Sequence, residues 1–137
     1  MRRYLSLVLS LALAGAAFLS GQTMPEKRTV VTIGADGVQR IEVIGGSYYF
    51  DPNVIVVKVN VPVELRVRKE SGITAHNMVL KAPEAGIDFS VSLSTTPQSI
   101  TFTPTKTGKF PFACTHKLLF FKSHKDQGMQ GVLEVVE

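Results

Sequence analysis

The sequence predicts an all-β domain, a sandwich or barrel of seven to eight short strands, behind a short targeting segment. Apolar and β-branched runs recur along the chain between turn-forming Gly, Pro, Asn and Asp residues. Beyond residue 21, no stretch keeps a helical period over three turns. The remaining residues, about 116 of them, suffice for one domain with a single core, and no repeat or linker divides them.

Residues 1–21 have the layout of a secretory signal peptide. Arg2 and Arg3 form a positive start, the apolar run Leu5–Leu19 follows, and the chain then turns polar. This run is shorter than the roughly 20 residues that a membrane-spanning helix needs. We therefore expect a periplasmic or secreted protein whose mature domain, residues 22–137, has no membrane span.

The first strands are predicted from β-branched runs bounded by turns. Val30–Ile33 ends at the turn Gly34–Gly37, and Val38–Ile44 ends where Gly45-Gly46 is expected to break the strand. Residues 48–53 then form an aromatic bend. Two further strands follow, the β-branched run Val54–Val59 and the segment Val63–Arg68, in which apolar and charged side chains alternate.

The second half of the domain continues this pattern after the loop Glu70–Ala75. The apolar stretch His76–Leu80 leads into residues 81–88, which are turn-rich and have room for one short helical turn. The remaining predicted strands are Phe89–Leu93, Ser99–Thr103, Phe110–Cys114 and Val132–Val136.

The charge balance excludes nucleic acid as an expected partner. The net charge falls from +4 to +2 when the segment 1–21 is removed, because Arg2 and Arg3 are lost with no acidic residue. The remaining Lys and Arg residues are scattered, and no basic stripe with interleaved aromatic residues forms. We expect a monomer.

The chain contains one cysteine, Cys114, so it has no intramolecular disulfide. In an oxidising compartment a lone thiol is expected to be buried, paired with another chain or bound to a metal. Burial is the ordinary interpretation, since free cysteine is among the most often buried residue types. Metal binding is the more specific one.

Four residues offer a metal-ligand set. Cys114, His124 and Met129 lie within sixteen residues on one connection between strands, and His76 opens an earlier strand. The ends of strands gather at the poles of a sandwich, so these residues are able to meet. Each alone has an ordinary structural interpretation, as a core methionine, a loop histidine or a buried thiol. Together they match the ligands of mononuclear electron-transfer copper sites, and the thioether favours copper over zinc.

These residues resemble the cupredoxins, the small blue copper proteins. AHNMVL (Ala75–Leu80) is similar to the segment that carries the family's first histidine ligand, and FPFAC (Phe110–Cys114) resembles the strand that ends in its cysteine ligand. HKDQGMQGVLEVV (His124–Val136) resembles the family's His-x-x-x-Gly-Met-x-Gly ending. YYFDPNVIVVKVNVPVELRV (Tyr48–Val67) is similar to its early strands.

The resemblance implies a Greek-key sandwich that holds one copper ion and is not an enzyme. His76, Cys114 and His124 would be the equatorial ligands and Met129 the axial one. Asn77 would tie the loop of the first histidine to the loop of the cysteine.

The interval between Cys114 and His124 departs from the family. Nine residues lie between them here, whereas family members usually have two to four. His116 is therefore an alternative to His124, and a copper ion without Met129, three-coordinate or bound to water, is another alternative. A binuclear site is excluded because Leu118 stands where it would need a second cysteine.

Three functions follow from this ligand set. The leading one is a one-electron carrier whose redox protein partner docks near the apolar segment Leu118–Phe121, which has simple burial as its ordinary interpretation. The second is a copper carrier or sequestering protein. The third is a site with an open coordination position for a small ligand, although nothing nearby in the sequence supplies a general base.

Overall fold

The computed structural model describes residues 24–117 and 123–137, which form two packed β-sheets. The predicted signal peptide and the apolar segment Leu118–Phe121 lie outside these residues. The described strands, in chain order, are β1 (Arg28–Val30), β2 (Gln39–Gly46), β3 (Tyr49–Asp51), β4 (Val54–Lys58), β5 (Val63–Lys69), β6 (Asn77–Ala82), β7 (Ile87–Ser92), β8 (Gln98–Phe102), β9 (Gly108–Ala113) and β10 (Gln130–Val136).

The larger sheet has six strands in the order β1-β4-β10-β9-β6-β7, and the smaller one has four in the order β3-β2-β5-β8. The pairs β1–β4, β4–β10 and β2–β5 are parallel, and the other pairs are antiparallel. A parallel pair cannot be joined by a tight hairpin, so the chain crosses repeatedly between the sheets. The predicted all-β sandwich is therefore confirmed.

The strand count and several strand boundaries differ from the predictions. Ten strands are described where seven to eight are predicted, and one of the additional strands, β3, lies in the aromatic bend. The strand predicted at Val30–Ile33 lies earlier in the structure, where β1 spans Arg28–Val30. Gly45-Gly46 does not break β2, because both glycines pair with β3 and ladder bonds outweigh the weak strand propensity of glycine. A 3₁₀ turn at Pro83–Ala85 confirms the predicted short helical turn.

The core lies between the sheets and is almost entirely apolar. Alternation along β5 buries Val63, Leu65 and Val67, as the sequence predicts. Phe50 of one sheet meets Phe112 of the other in an edge-to-face contact with ring centroids 5.3 Å apart. An aromatic pair of this kind stabilises by about 0.5–1.5 kcal/mol beyond the area it buries. The two sheets are thus joined by a specific contact directly below the pole that carries Cys114.

One polar side chain, that of Gln39, is fully buried at the opposite pole. Its amide donates to the carbonyls of Lys58 and Val61, and its oxygen accepts from the backbone N–H of Lys58 at 2.6 Å. These bonds satisfy the buried amide and fix the start of β2 against the turn after β4.

Among the described residues, no helix is long and apolar enough to cross a bilayer.

Candidate metal centre

Three strand ends meet at one pole of the sandwich and carry the predicted ligands. His76 directly precedes β6, Cys114 directly follows β9, and Met129 directly precedes β10. Strand β9 pairs antiparallel with both neighbours, through Ala113↔Val79 in β6 and Ala113↔Gln130 in β10. The register of three adjacent strands therefore places residues far apart in sequence side by side.

The donor atoms of three residues converge in a buried cluster. The Nδ1 atom of His124 lies 3.1 Å from Nδ1 of His76 and 3.4 Å from Sγ of Cys114, and the distance from that sulfur to Nδ1 of His76 is 4.0 Å. One ligand atom from each residue thus falls within 4.8 Å of the others. All three residues are buried, Cys114 completely. This spacing leaves room for a single small ion between them.

A backbone hydrogen bond explains how the lengthened interval still allows the cluster to form. The N–H of His124 donates to the carbonyl of His116 at 2.8 Å, which closes the base of the connecting segment. The bond joins the two ends of the interval, so the length of the interval does not separate Cys114 from His124. Next to His124, Ser123 Oγ donates to the Asp126 carboxylate at 2.6 Å. This bond shapes the tight turn that contains His124.

Met129 closes the same turn from inside the protein. Its N–H donates to the carbonyl of His124 at 2.9 Å, and its own carbonyl accepts from the N–H of Cys114 at 3.0 Å. Its side chain is fully buried and contacts β2 at Gly45, where an added Cβ would lie 3.1 Å from the Met129 methyl carbon. The four predicted ligand residues are therefore clustered at this pole.

Asn77 ties the loop of His76 to the loop of Cys114. Its backbone N–H points at Sγ of Cys114 over 3.4 Å. Its side-chain amide donates to Thr115 Oγ1 at 2.8 Å, and its side-chain oxygen accepts from the Thr115 N–H at 2.8 Å. These bonds hold the two loops in fixed relation, as the resemblance implies for Asn77.

Both histidines have lowered pKa values. For His76 the main cause is burial, followed by the charges of His124, Lys69 and His116. For His124 the causes are burial and then the charge of His116. A lowered pKa keeps an imidazole neutral at neutral pH, and the neutral form is the one that binds a metal.

His116 lies beside the cluster and does not belong to it. Its ring centroid is 6.4 Å from that of His124, and the residue is half-buried. The group of convergent ligand atoms consists of His76, Cys114 and His124. The geometry thus favours His124 over the alternative His116.

The donor set fits copper better than a hard cation. A thiolate, two imidazoles and a thioether are soft or intermediate donors, which prefer copper, whereas Mg²⁺ and Ca²⁺ require oxygen ligands. The cluster contains no carboxylate. Zinc accepts the three strong donors, but it gains little from the buried thioether of Met129.

The structure adds residues to this pole that the sequence does not single out. Tyr48 packs against His124, and Lys69 holds the loop before His76 by donating to the carbonyls of Gly72 and Thr74. Gly45 makes room for the Met129 side chain. No local pattern marks these roles, because each depends on a contact between distant segments.

Comparisons with solved structures identify the fold. The metal-binding domain of the Cu(I)-exporting P-type ATPase CopA of Streptococcus pneumoniae superposes with a TM-score of 0.61 and 19% identity, over 83% of this chain and 100% of that one. Auracyanin from Roseiflexus castenholzii superposes with a TM-score of 0.57 and 21% identity, over 76% of this chain and 100% of that one. Auracyanin A, a "blue" copper protein from Chloroflexus aurantiacus, superposes with a TM-score of 0.54 and 21% identity, over 73% of this chain and 100% of that one.

No protein-family model matches the sequence, and no curated protein matches it either. At these identities the likeness establishes the fold alone. The chain has the cupredoxin fold, as the resemblance in its motifs predicts.

Proposed function

We propose that this protein binds one copper ion through His76, Cys114, His124 and Met129 and carries single electrons. The observation that carries the proposal is the convergence of two Nδ1 atoms and one Sγ atom, all buried, within 4.8 Å of one another. Copper held there would alternate between its +1 and +2 states, gaining or losing one electron. The proposed role is that of a carrier and not of an enzyme.

The protein's part in this function is to hold the ligands still. His76 and Cys114 flank paired strands, and the Asn77–Thr115 bonds connect their loops. Hydrogen bonds around the ligands fix the orientation of each donor, which is how the surroundings of a site tune a bound metal. Ligands on a sheet framework need to move little when the charge of the ion changes, which favours fast electron exchange.

Burial also excludes water from the ligands. His76 and His124 are 6% and 7% exposed, and Cys114 is not exposed at all. The enclosed thiol is thereby shielded from oxidation, which requires an accessible thiolate.

A copper carrier or sequestering protein is the second candidate. The superposition on the metal-binding domain of a Cu(I)-exporting ATPase favours it, because that domain has the same fold and its structure was solved with Cu(I). Such a protein would use the same residues here, but it would bind Cu(I) preferentially and exchange it readily.

Export and a redox partner complete the proposal. The signal-like segment 1–21 supports a periplasmic or secreted location, which sequencing the N-terminus of the mature protein tests directly. We also propose that a redox protein docks near Leu118–Phe121. Crosslinking of copper-loaded protein to a candidate partner tests this.

The visible spectrum of the Cu(II)-loaded protein tests the main proposal. An intense red-region absorption from the thiolate, lost in Cys114→Ser and reversibly bleached by one electron per ion, is expected for the carrier. Absorption at shorter wavelength indicates a more tetragonal site with an open position. A colourless protein that binds Cu(I) tightly supports the second candidate. If absorption persists in Cys114→Ser, Cys114 is not the ligand and the proposal fails.

A further inference from the structure

Tyr48 has a backbone conformation that its side chain disfavours. It lies in the two-residue connection between β2 and β3 and has a φ of +62°. In this left-handed region the Cβ atom crowds the backbone, which is why glycine and asparagine are enriched there and bulky residues are rare. A tyrosine kept in this region suggests a role that outweighs the strain.

The side chain of Tyr48 packs against a proposed copper ligand. Its ring meets the His124 imidazole edge-on, with centroids 5.1 Å apart and planes at 73°. The Tyr48 carbonyl also approaches the same turn, 3.7 Å from where a Cβ on Gly128 would lie. Backbone and ring of Tyr48 thus both contact the segment that presents His124.

The remaining contacts of His124 leave its orientation dependent on packing. Among the described residues, every hydrogen-bond contact of its ring involves Nδ1, the atom that faces His76 and Cys114. Metal-binding histidines usually have their second ring nitrogen held by a carboxylate or carbonyl. The rings of Tyr48, His76 and His116 all lie beside this imidazole, and the Tyr48 ring packs against it at a steep angle of 73°.

The next residue, Tyr49, has a different role. Its hydroxyl donates to the Glu70 carboxylate at 2.5 Å, so it points to the loop before His76. The two successive tyrosines therefore contact different segments of this pole, Tyr48 the turn of His124 and Tyr49 the start of the loop before His76.

We propose that Tyr48 is a positioning residue for His124, and that the strained turn is retained because it holds the tyrosine ring against the imidazole. This inference rests on the proposed function, in which Nδ1 of His124 binds copper. Without the ring, the imidazole would sample orientations in which Nδ1 turns away from Cys114. The metal would then be held less tightly and released faster.

The chain offers a matched control for backbone strain. Asn60, in the turn after β4, is the other non-glycine residue with a positive φ among the described residues, at +60°. It lies at the opposite pole, where its N–H donates to the carbonyl of Pro104. At either position, the Gly variant relieves backbone strain that the Ala variant keeps. Of the two residues, Tyr48 is the one that contacts His124.

The experiment compares Tyr48→Phe, Tyr48→Ala, Tyr48→Gly, Asn60→Ala and Asn60→Gly in the full mature protein. Metal release is followed by transfer of Cu(I) to excess bathocuproine disulfonate. We expect Tyr48→Ala and Tyr48→Gly to release copper about two- to tenfold faster, the range an aromatic contact supports. Tyr48→Phe keeps the ring and should release at the wild-type rate, as should both Asn60 variants.

Strain is measured separately, in the metal-free protein. At both positions the Gly variant should unfold at a higher denaturant concentration than the Ala variant, because glycine accepts the left-handed conformation. If Tyr48→Ala is as stable as Tyr48→Gly while the Asn60 pair differs, the turn at Tyr48 is not strained and the inference is wrong. Wild-type copper release from a folded Tyr48→Gly protein also contradicts it, as does fast release from Tyr48→Phe.

A third measurement separates this inference from the proposed function. In the metal-free protein, NMR signals of the His124 ring should be sharp in the wild type and in Tyr48→Phe, and exchange-broadened in Tyr48→Gly. If the wild type binds no copper, the proposed function fails and the ring signals still decide the role of Tyr48. If copper binds normally and the ring signals are the same in all variants, the inference alone fails.

Discussion

Asn77 and Thr115 form a reciprocal pair of hydrogen bonds across the two loops that carry His76 and Cys114. The Asn77 amide donates to Thr115 Oγ1, and the Thr115 N–H donates back to Asn77 Oδ1, each at 2.8 Å. The neighbouring backbone N–H of Asn77 points at the cysteine sulfur. One residue thus links the spacing of two proposed ligands to the hydrogen bonding of the thiol.

Asn77→Ala should lower the free energy of unfolding of the metal-free protein by about 1–2 kcal/mol, because it removes both side-chain bonds. Thr115→Val removes only the bond from the Asn77 amide to the Thr115 hydroxyl. It should lower the free energy of unfolding by about half as much as Asn77→Ala does. Denaturant titration of both variants measures the difference. Equal effects would show that the bond from the Thr115 N–H contributes nothing.

His124→Ala should abolish the thiolate-to-copper absorption, whereas His116→Ala should leave it unchanged. The reason is geometric, since Nδ1 of His124 lies 3.4 Å from the sulfur and the His116 ring lies outside the donor group. Spectra of the two copper-loaded variants decide this. The opposite result would assign the ligand role to His116.

Much of the fold was predictable because it follows from local patterns. The alternation from Val63 to Arg68 predicts which side chains of β5 are buried, and the turn signal at Gly34–Gly37 predicts the turn that precedes β2. Gly45-Gly46 misled the prediction, because pairing with β3 is a long-range contact that overrides the local propensity of glycine.

The ligand residues were predictable because their types and order are distinctive, but their contacts were not. The proximity of His76 to Cys114 comes from the pairing of β6 with β9, which no local pattern encodes. Whether the long interval before His124 spoils the cluster depends on one backbone bond to His116. No sequence pattern marks the role proposed for Tyr48, because it depends on a turn conformation that the tyrosine side chain disfavours.

Lys69→Met should loosen the loop before His76 and lower the reduction potential of the copper-loaded protein. The ammonium donates to the carbonyls of Gly72 and Thr74 at 2.7 and 2.9 Å, and a nearby positive charge disfavours the more highly charged oxidised ion. The potential shift should be on the order of tens of millivolts.

Voltammetry measures this shift, and amide hydrogen exchange in residues 70–75 reports the loop. Lys69→Arg keeps the charge and donors and should behave almost as the wild type. Lys81→Met removes an exposed lysine paired with Asp88 and serves as the control for charge alone. If Lys81→Met shifts the potential as much, the effect of Lys69 is one of net charge.

Tyr49 should ionise late, because its hydroxyl donates to the Glu70 carboxylate and its pKa is raised to about 12. A raised pKa in the folded state means that this bond stabilises the protein below pH 10 and that the contribution is lost as the pH rises from 10 to 12. Near-ultraviolet absorbance during an alkaline titration follows the ionisation. Glu70→Gln removes the negative charge and should move the tyrosine pKa down towards 10. An unchanged titration would show that Glu70 does not cause the shift.

Gly45→Ala should both destabilise the protein and disturb the copper site. A Cβ at this position would lie 2.7 Å from Cδ1 of Leu93 and 3.1 Å from the methyl carbon of Met129, so at least one buried side chain must move. Overpacking of this kind costs about 1–3 kcal/mol, which denaturation of the metal-free protein measures.

Met129→Leu is the matched variant, since it removes the thioether and keeps the side-chain volume nearly constant. If the methionine sulfur is an axial ligand and Gly45→Ala displaces it, the two variants should shift the visible spectrum in the same direction. A spectrum altered by Met129→Leu alone would show that Leu93 yields to the new methyl group and that the thioether keeps its place.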